Sequence, residues 1–226
     1  MQLTGLTESL RESKIYHDLL TRLQDTSTSL HVIRSARPLL LAALAHDWHA
    51  PVIYLTAKIK RAYNVTEQLP VWTGQQIPVY RFGEPTAQFY EHAPWAETTI
   101  RSRIETLAAL MPPGDTTSDN HPVIVSAAHA WMQRTLPVHH FRKASMTLKV
   151  KQTYAIDRLL TQWLSIGYEA VSIVVEPGTF SRRGGLVDIF PAAAIKPVRI
   201  EFFGDEIDSL RYFDPSTQRS EARIEQ

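Results

Sequence analysis

Apolar positions along the chain follow two different rhythms. In the opening segment Ile15, Leu19, Leu20 and Leu23 recur at helical spacing and predict a helix, which the polar run DTSTS (25–29) ends. LHVI (30–33) reads as a short strand. RSARPLLLAALAHDW after it reads as a turn and a largely buried helix with Pro38 in its first turn. APVIYLTA (50–57) has the β-branched and aromatic content of a buried strand, and IPVYRF (77–82) reads as another. ETTIRSRIETLAALM (97–111) predicts a helix with Ile100, Ile104, Leu107 and Leu110 on one side. PPGDTTSDNHP (112–122) is a loop, and VIVSAAHAWMQ (123–133) is a strand running into a helix. Alternating strands and helices of this kind predict parallel βα units on an open sheet.

The rhythm changes after LPVHHF (136–141). KQTYAIDRLLTQWLSIG places Ile156, Leu159, Leu160, Trp163 and Leu164 at a helical repeat, with Gly167 suited to the stop. Beyond it the segments AVSIVVE, LVDIFP, PVRIEFF and EIDSLRYF read as strands joined by short turns. They predict an antiparallel meander covered by one helix. The expected organisation is an α/β lobe over residues 1–137 and a small α+β domain with an antiparallel sheet over residues 138–226.

Composition narrows the function classes. Among 226 residues, 24 are basic and 23 acidic, a formal net charge of +1, so overall charge gives no case for nucleic acid or membrane binding. The chain has no cysteine, which excludes disulfides, thiolate metal sites and cysteine nucleophiles and fits a reducing cytoplasm. There is neither a signal-peptide core nor an uncharged apolar run long enough to span a bilayer.

Chemistry-bearing motifs are few. A phosphate loop needs glycines, a lysine and a Ser/Thr, but the turn in HVIRSARPLLLAAL has neither glycine nor Gly-Lys-Ser/Thr. Arg34 and Arg37 there read as solvated turn residues. His46/His49 and His139/His140 lack a third ligand at metal spacing and read as surface histidines. No catalytic, cofactor or metal residue is expected.

The stretch SRRGGLVDIFP (181–191) is not a dinucleotide fingerprint, because its glycines precede a strand rather than a helix. They are expected to ease a tight backbone path where the strand begins. Arg182, Arg183, Lys196 and Arg199 could cluster as a basic patch, offset by Glu201, Asp205, Glu206 and Asp208. In PVRIEFF, alternation puts Val198, Ile200 and Phe202 on the core face and Arg199, Glu201 and Phe203 on the other, with Gly204–Asp205 as a tight hairpin turn. Alternation alone leaves Phe203 open to two readings: a docking anchor beside arginine, or an aromatic tucked under the first domain or a neighbouring loop.

The run RRGGLVDIFPAAAIKPVRIEFFGDEIDSLRYFDPSTQRS resembles the region shared by the excision-repair helicase subunit UvrB and the bacterial transcription-repair coupling factors. PLLLAALAHDWHAPVIYLT and IVSAAHAWMQRTLP resemble the start of the latter family, in the expected order. UvrB carries an intact Walker loop and a tyrosine-rich DNA-clamping hairpin. The corresponding segment here, YRFGEPTAQFYEHAPW (80–95), is short and lacks the tyrosine cluster. The resemblance therefore implies the N-terminal UvrB-like module of a coupling factor, with a degenerate RecA-like first lobe and a second domain that docks onto UvrA. The alternative is a divergent UvrB-like ATP-dependent helicase subunit. By this resemblance Arg183, Arg199 and Phe203 match the UvrA-contacting residues. A complete coupling factor is several times longer, with RNA-polymerase-binding and double-stranded-DNA-translocating parts, so the chain is expected to be a fragment without the motor. It would also lack the regulatory domain that covers the docking surface.

Overall fold

A computed structural model describes residues 3–85, 95–111 and 121–225. The predicted loop over 112–122 and the hairpin-equivalent segment over 80–95 fall largely outside them. The chain divides into two compact units, Met1–Thr135 and Leu136–Gln226. No helix of the described residues is long and apolar enough to cross a membrane.

The first unit is an α/β layer structure. Helices α1 (Thr4–Arg11), α2 (Lys14–Asp25) and α3 (Arg37–Asp47) come first. They are tied together by Asp47, which accepts bonds from Arg11 Nε at 2.9 and 3.1 Å and from the buried Tyr16 hydroxyl at 2.9 Å. Burial pushes the Asp47 carboxyl up, but the bonds from Arg11 and Tyr16 outweigh it and hold its pKa below the usual value. Pro38 sits in the first turn of α3, as its fixed φ favours. LHVI forms no strand: no neighbouring strand pairs with it, Leu30 and Ile33 are exposed, and a short 3₁₀ turn leads from it into α3.

Strand β1 (Val52–Thr56), helix α4 (Ile59–Thr73), strand β2 (Val79–Phe82), helix α5 (Glu97–Leu110), strand β3 (Val123–Ala127) and the short helix α6 (Ala128–Trp131) complete the unit. The three strands are parallel in the order β1-β3-β2. Every residue of the central β3 is buried, whereas β1 is an edge strand with Ile53 and Leu55 exposed, not the fully buried strand its composition predicts. Helix α4 has no counterpart in the sequence reading, although Ala62, Val65, Leu69 and Thr73 form its buried face and Gly74 ends it at φ +64°. In α5 the buried face is Thr99, Arg103 and Thr106 rather than the isoleucine–leucine stripe, and Ile100 is exposed. The reason is the Arg103 guanidinium. It donates to the carbonyls of Gly83 (3.0 Å) and Ala130 (3.1 Å) and stacks 3.9 Å from the Phe82 ring, which holds Arg103 on the buried side.

The second unit starts with α7 (Val138–Ala144) and α8 (Ile156–Ser165), followed by strands β4 (Glu169–Ala170), β5 (Thr179–Arg183), β6 (Leu186–Phe190), β7 (Val198–Phe203), β8 (Glu206–Phe213) and β9 (Ser220–Ile224). They form one sheet in sequence order, antiparallel throughout except for the parallel β4–β5 pair. Most of AVSIVVE is therefore not a meander strand. After Ala170 the chain leaves the ladder so that Val174 can bury against Phe190 and Phe213. Helix α8 covers the first face with Ile156, Leu159 and Trp163, packed on Phe180, Val187, Ile189, Ile200, Ile207 and Leu210. Ile207 and Leu210 are three residues apart, yet both reach this core. The register between β7 and β8 slips between Glu201 and Phe202, leaving Asp208 as a bulged extra residue.

Candidate functional site

The second face of the six-stranded sheet collects the residues that alternation turns away from α8. Val198, Ile200 and Phe202 pack into the core, so Arg199, Glu201 and Phe203 point the other way. Phe203 is the last residue before the Gly204–Asp205 turn and pairs with Glu206 across it. Gly204 has φ +62°, the positive value that a primed two-residue hairpin turn asks of its first residue. The Phe203 side chain is 85% exposed, and no loop of its own unit covers it.

The glycines of SRRGGLVDIFP form the β5–β6 turn, since Arg183 pairs directly with Leu186. Gly184 has φ +63°. Gly185 accepts a bond from the Phe202 amide at 2.8 Å, and a Cβ on it would lie 2.8 Å from the Phe202 carbonyl oxygen. The pair thus lets the turn lie against the backbone beside Phe203 without a side chain to shade it. Gly185→Ala is expected to lower stability by about 1–3 kcal/mol, read as a fall in melting temperature. An unchanged melt would mean that the two backbones are not in contact.

Of the sequence-predicted residues, Arg183 is exposed and its Nη2 donates to the Ser172 carbonyl at 3.0 Å. Arg199 is not a free cation. Its Nε and Nη2 donate to the two oxygens of Asp188 at 2.7 and 2.9 Å, Nη1 reaches the Gln218 carbonyl at 3.2 Å, and the guanidinium lies 4.9 Å from the Phe213 ring. The Asp188 bond raises the Arg199 pKa further above its usual value. Arg183, Arg199 and Phe203 share the face, with Arg199 and Phe203 ~13 Å apart along β7.

The four basic residues that could have clustered are instead dispersed into local contacts. Arg182 pairs with Asp157 in the first turn of α8, and Lys196 pairs with Glu221. Sequence reasoning missed Asp188, although its place between Val187 and Ile189 in LVDIF already turns it onto the Arg199 face. In the first unit Arg34 and Arg37 are exposed, His46 is half-buried and His49 exposed. Burial, and then the Arg11 charge, lower the His46 pKa. His139 and His140 are exposed on α7 with ring centroids 4.2 Å apart. Among the described residues no group of three or more His, Cys, Asp or Glu is placed to hold a metal ion.

Comparison with known proteins bears on this face directly. Residues 146–226 match the family model of the UvrB interaction domain. The match covers nearly all of the second unit. Over 188 residues, 82% of its length, the chain is 31% identical to the transcription-repair-coupling factor of Escherichia coli (strain K12). It is 30% identical to that of Bacillus subtilis (strain 168) over 187 residues, and 28% identical to that of Staphylococcus aureus (strain MRSA252) over 225. It spans 16%, 15% and 19% of those three proteins, less than a fifth of each. Phe203 and the sheet face that carries it thus lie within the residues that match the UvrB interaction domain, a match that begins before α8.

Proposed function

We propose that the chain is a non-catalytic docking module of a transcription-repair coupling factor, and that its UvrB interaction domain binds UvrA. The observation that carries this reading is Phe203, a large aromatic held almost fully in solvent at a rigid hairpin end. Arg183 stands on the same face and the buried Asp188–Arg199 pair underlies it. An exposed aromatic anchor on a face that also carries arginine has the composition of an interface centre.

In the whole protein the module recruits UvrA, in the cytoplasm, to stalled RNA polymerase. ATP-driven movement on double-stranded DNA belongs to parts of the parent beyond this chain, which itself needs no cofactor. The first unit serves as a degenerate RecA-like lobe, resembling the first domain of UvrB.

Calorimetric titration of UvrA with this chain tests the reading. The expected Kd is about 1 µM or tighter, roughly 8 kcal/mol of binding free energy. Excess chain should displace UvrB from UvrA. Absence of binding would overturn the docking assignment, and ATP hydrolysis by the purified chain would favour the UvrB-like helicase instead.

A further inference from the structure

Strand register aligns five side chains in one row across the second face. Ser181 pairs with Asp188, Asp188 with Arg199, Arg199 with Arg211, and Arg211 with Arg223. The neighbouring pair Leu210–Ile224 packs on the α8 side, which fixes Arg211 and Arg223 on the opposite face. Three arginines thus stand directly opposite one another on β7, β8 and β9, at strand spacings of ~4.8 Å.

Like charges directly opposite each other oppose sheet pairing. Only the first arginine has a bidentate carboxylate partner. Asp188 takes both of its oxygens to Arg199. Glu201 accepts from the Ser209 hydroxyl at 2.6 Å and makes only a long, 3.8 Å ion pair with Arg211 Nη2. Arg211 Nε is buried without a hydrogen-bond partner among the described residues. Arg223 is exposed on the edge strand and has no acid partner among them. The row is unfavourable for the isolated sheet, and an acidic counterpart from outside would relieve it.

We propose that Arg211 and Arg223 extend the docking face from Phe203 to the β9 edge, and that they pair with a line of carboxylates on the partner protein. The inference rests on the UvrA reading above and adds two contact residues to it. A protein fits better than nucleic acid. Glu201 and Glu206 stand among the arginines on this face, and they would repel a phosphate backbone. Leu186 and Phe203 give the same face an apolar part.

The test is titration of UvrA with the wild-type chain, Arg211→Gln/Arg223→Gln, Arg223→Glu and Phe203→Ala, at roughly 0.1 M and roughly 0.5 M salt, where screening differs strongly. The double variant is expected to bind at least tenfold more weakly at the lower salt, with the gap narrowing at the higher. Should the double variant fail to fold, the exposed Arg223→Glu decides alone, and at least a threefold loss is expected. If Phe203→Ala weakens binding but the arginine variants do not, the inference falls and the UvrA reading stands. If the wild-type chain does not bind UvrA, both fall. Steeply salt-dependent binding of a duplex DNA oligonucleotide, lost in the same variants, would assign the row to nucleic acid and overturn the protein partner.

Discussion

Asp188→Ala is expected to destabilise the second unit by about 3–5 kcal/mol, the cost of leaving one member of a buried ion pair without its partner. Asp188 is 3% exposed, and the Arg199 side chain facing it is 13% exposed. Both oxygens of the carboxylate are used, by Nε and Nη2 of one guanidinium. Arg199→Glu should be worse still, because it would force two carboxylates together on adjacent strands. For a unit of this size the loss corresponds to a fall in melting temperature of roughly 15–25 °C. The double replacement Asp188→Leu/Arg199→Met should recover much of it, since apolar groups of similar volume remove the desolvation cost of both charges. Differential scanning calorimetry of the wild type, Asp188→Leu, Arg199→Met and the double variant measures the cycle. Single variants that melt with the wild type would show that water reaches the pair.

This pair changes how substitutions at Arg199 are read. Because the guanidinium already spends its fork on Asp188, loss of partner binding in Arg199→Glu would mix a damaged sheet with a lost contact. Arg199→Lys keeps the charge and loses only the bidentate geometry, so it separates the two more cleanly.

The features legible in the sequence are those set by short-range pattern. Helix α8 and strands β6, β7 and β8 follow from period 3.6 and period 2, and the Gly204–Asp205 turn fixes the β7–β8 register near Phe203. What escaped depends on partners distant in sequence. LHVI has strand composition but no neighbour to pair with, and AVSIVVE leaves the ladder because Val174 is needed over Phe190 and Phe213. The face of α5 is chosen by Arg103 finding two carbonyls, 20 and 27 residues away, against the pull of its own apolar stripe. The arginine row is invisible in one dimension, because Arg199, Arg211 and Arg223 become neighbours only once the registers of three strands and one bulge are known.

Phe203→Ala should show the opposite signature to Asp188→Ala. The side chain is 85% exposed, so truncation removes almost no buried area and the melting temperature should stay within the spread of surface substitutions, about 0.5 kcal/mol. Binding to UvrA, in contrast, should weaken at least tenfold, because an aromatic anchor at an interface centre typically carries about 2 kcal/mol or more. Phe203→Leu should retain part of the affinity if buried area dominates, and Phe203→Asp should lose at least as much as alanine by adding a desolvated charge. The hairpin geometry makes this a clean test. Gly204 at φ +62° and the Phe203–Glu206 pairing set the backbone independently of the Phe203 ring, so its removal leaves the presenting scaffold unchanged. Unaltered affinity in a folded Phe203→Ala protein, against a wild type that binds, would move the docking site off this face. A lowered melting temperature with unaltered affinity would show that the ring serves packing, in contradiction to its exposure.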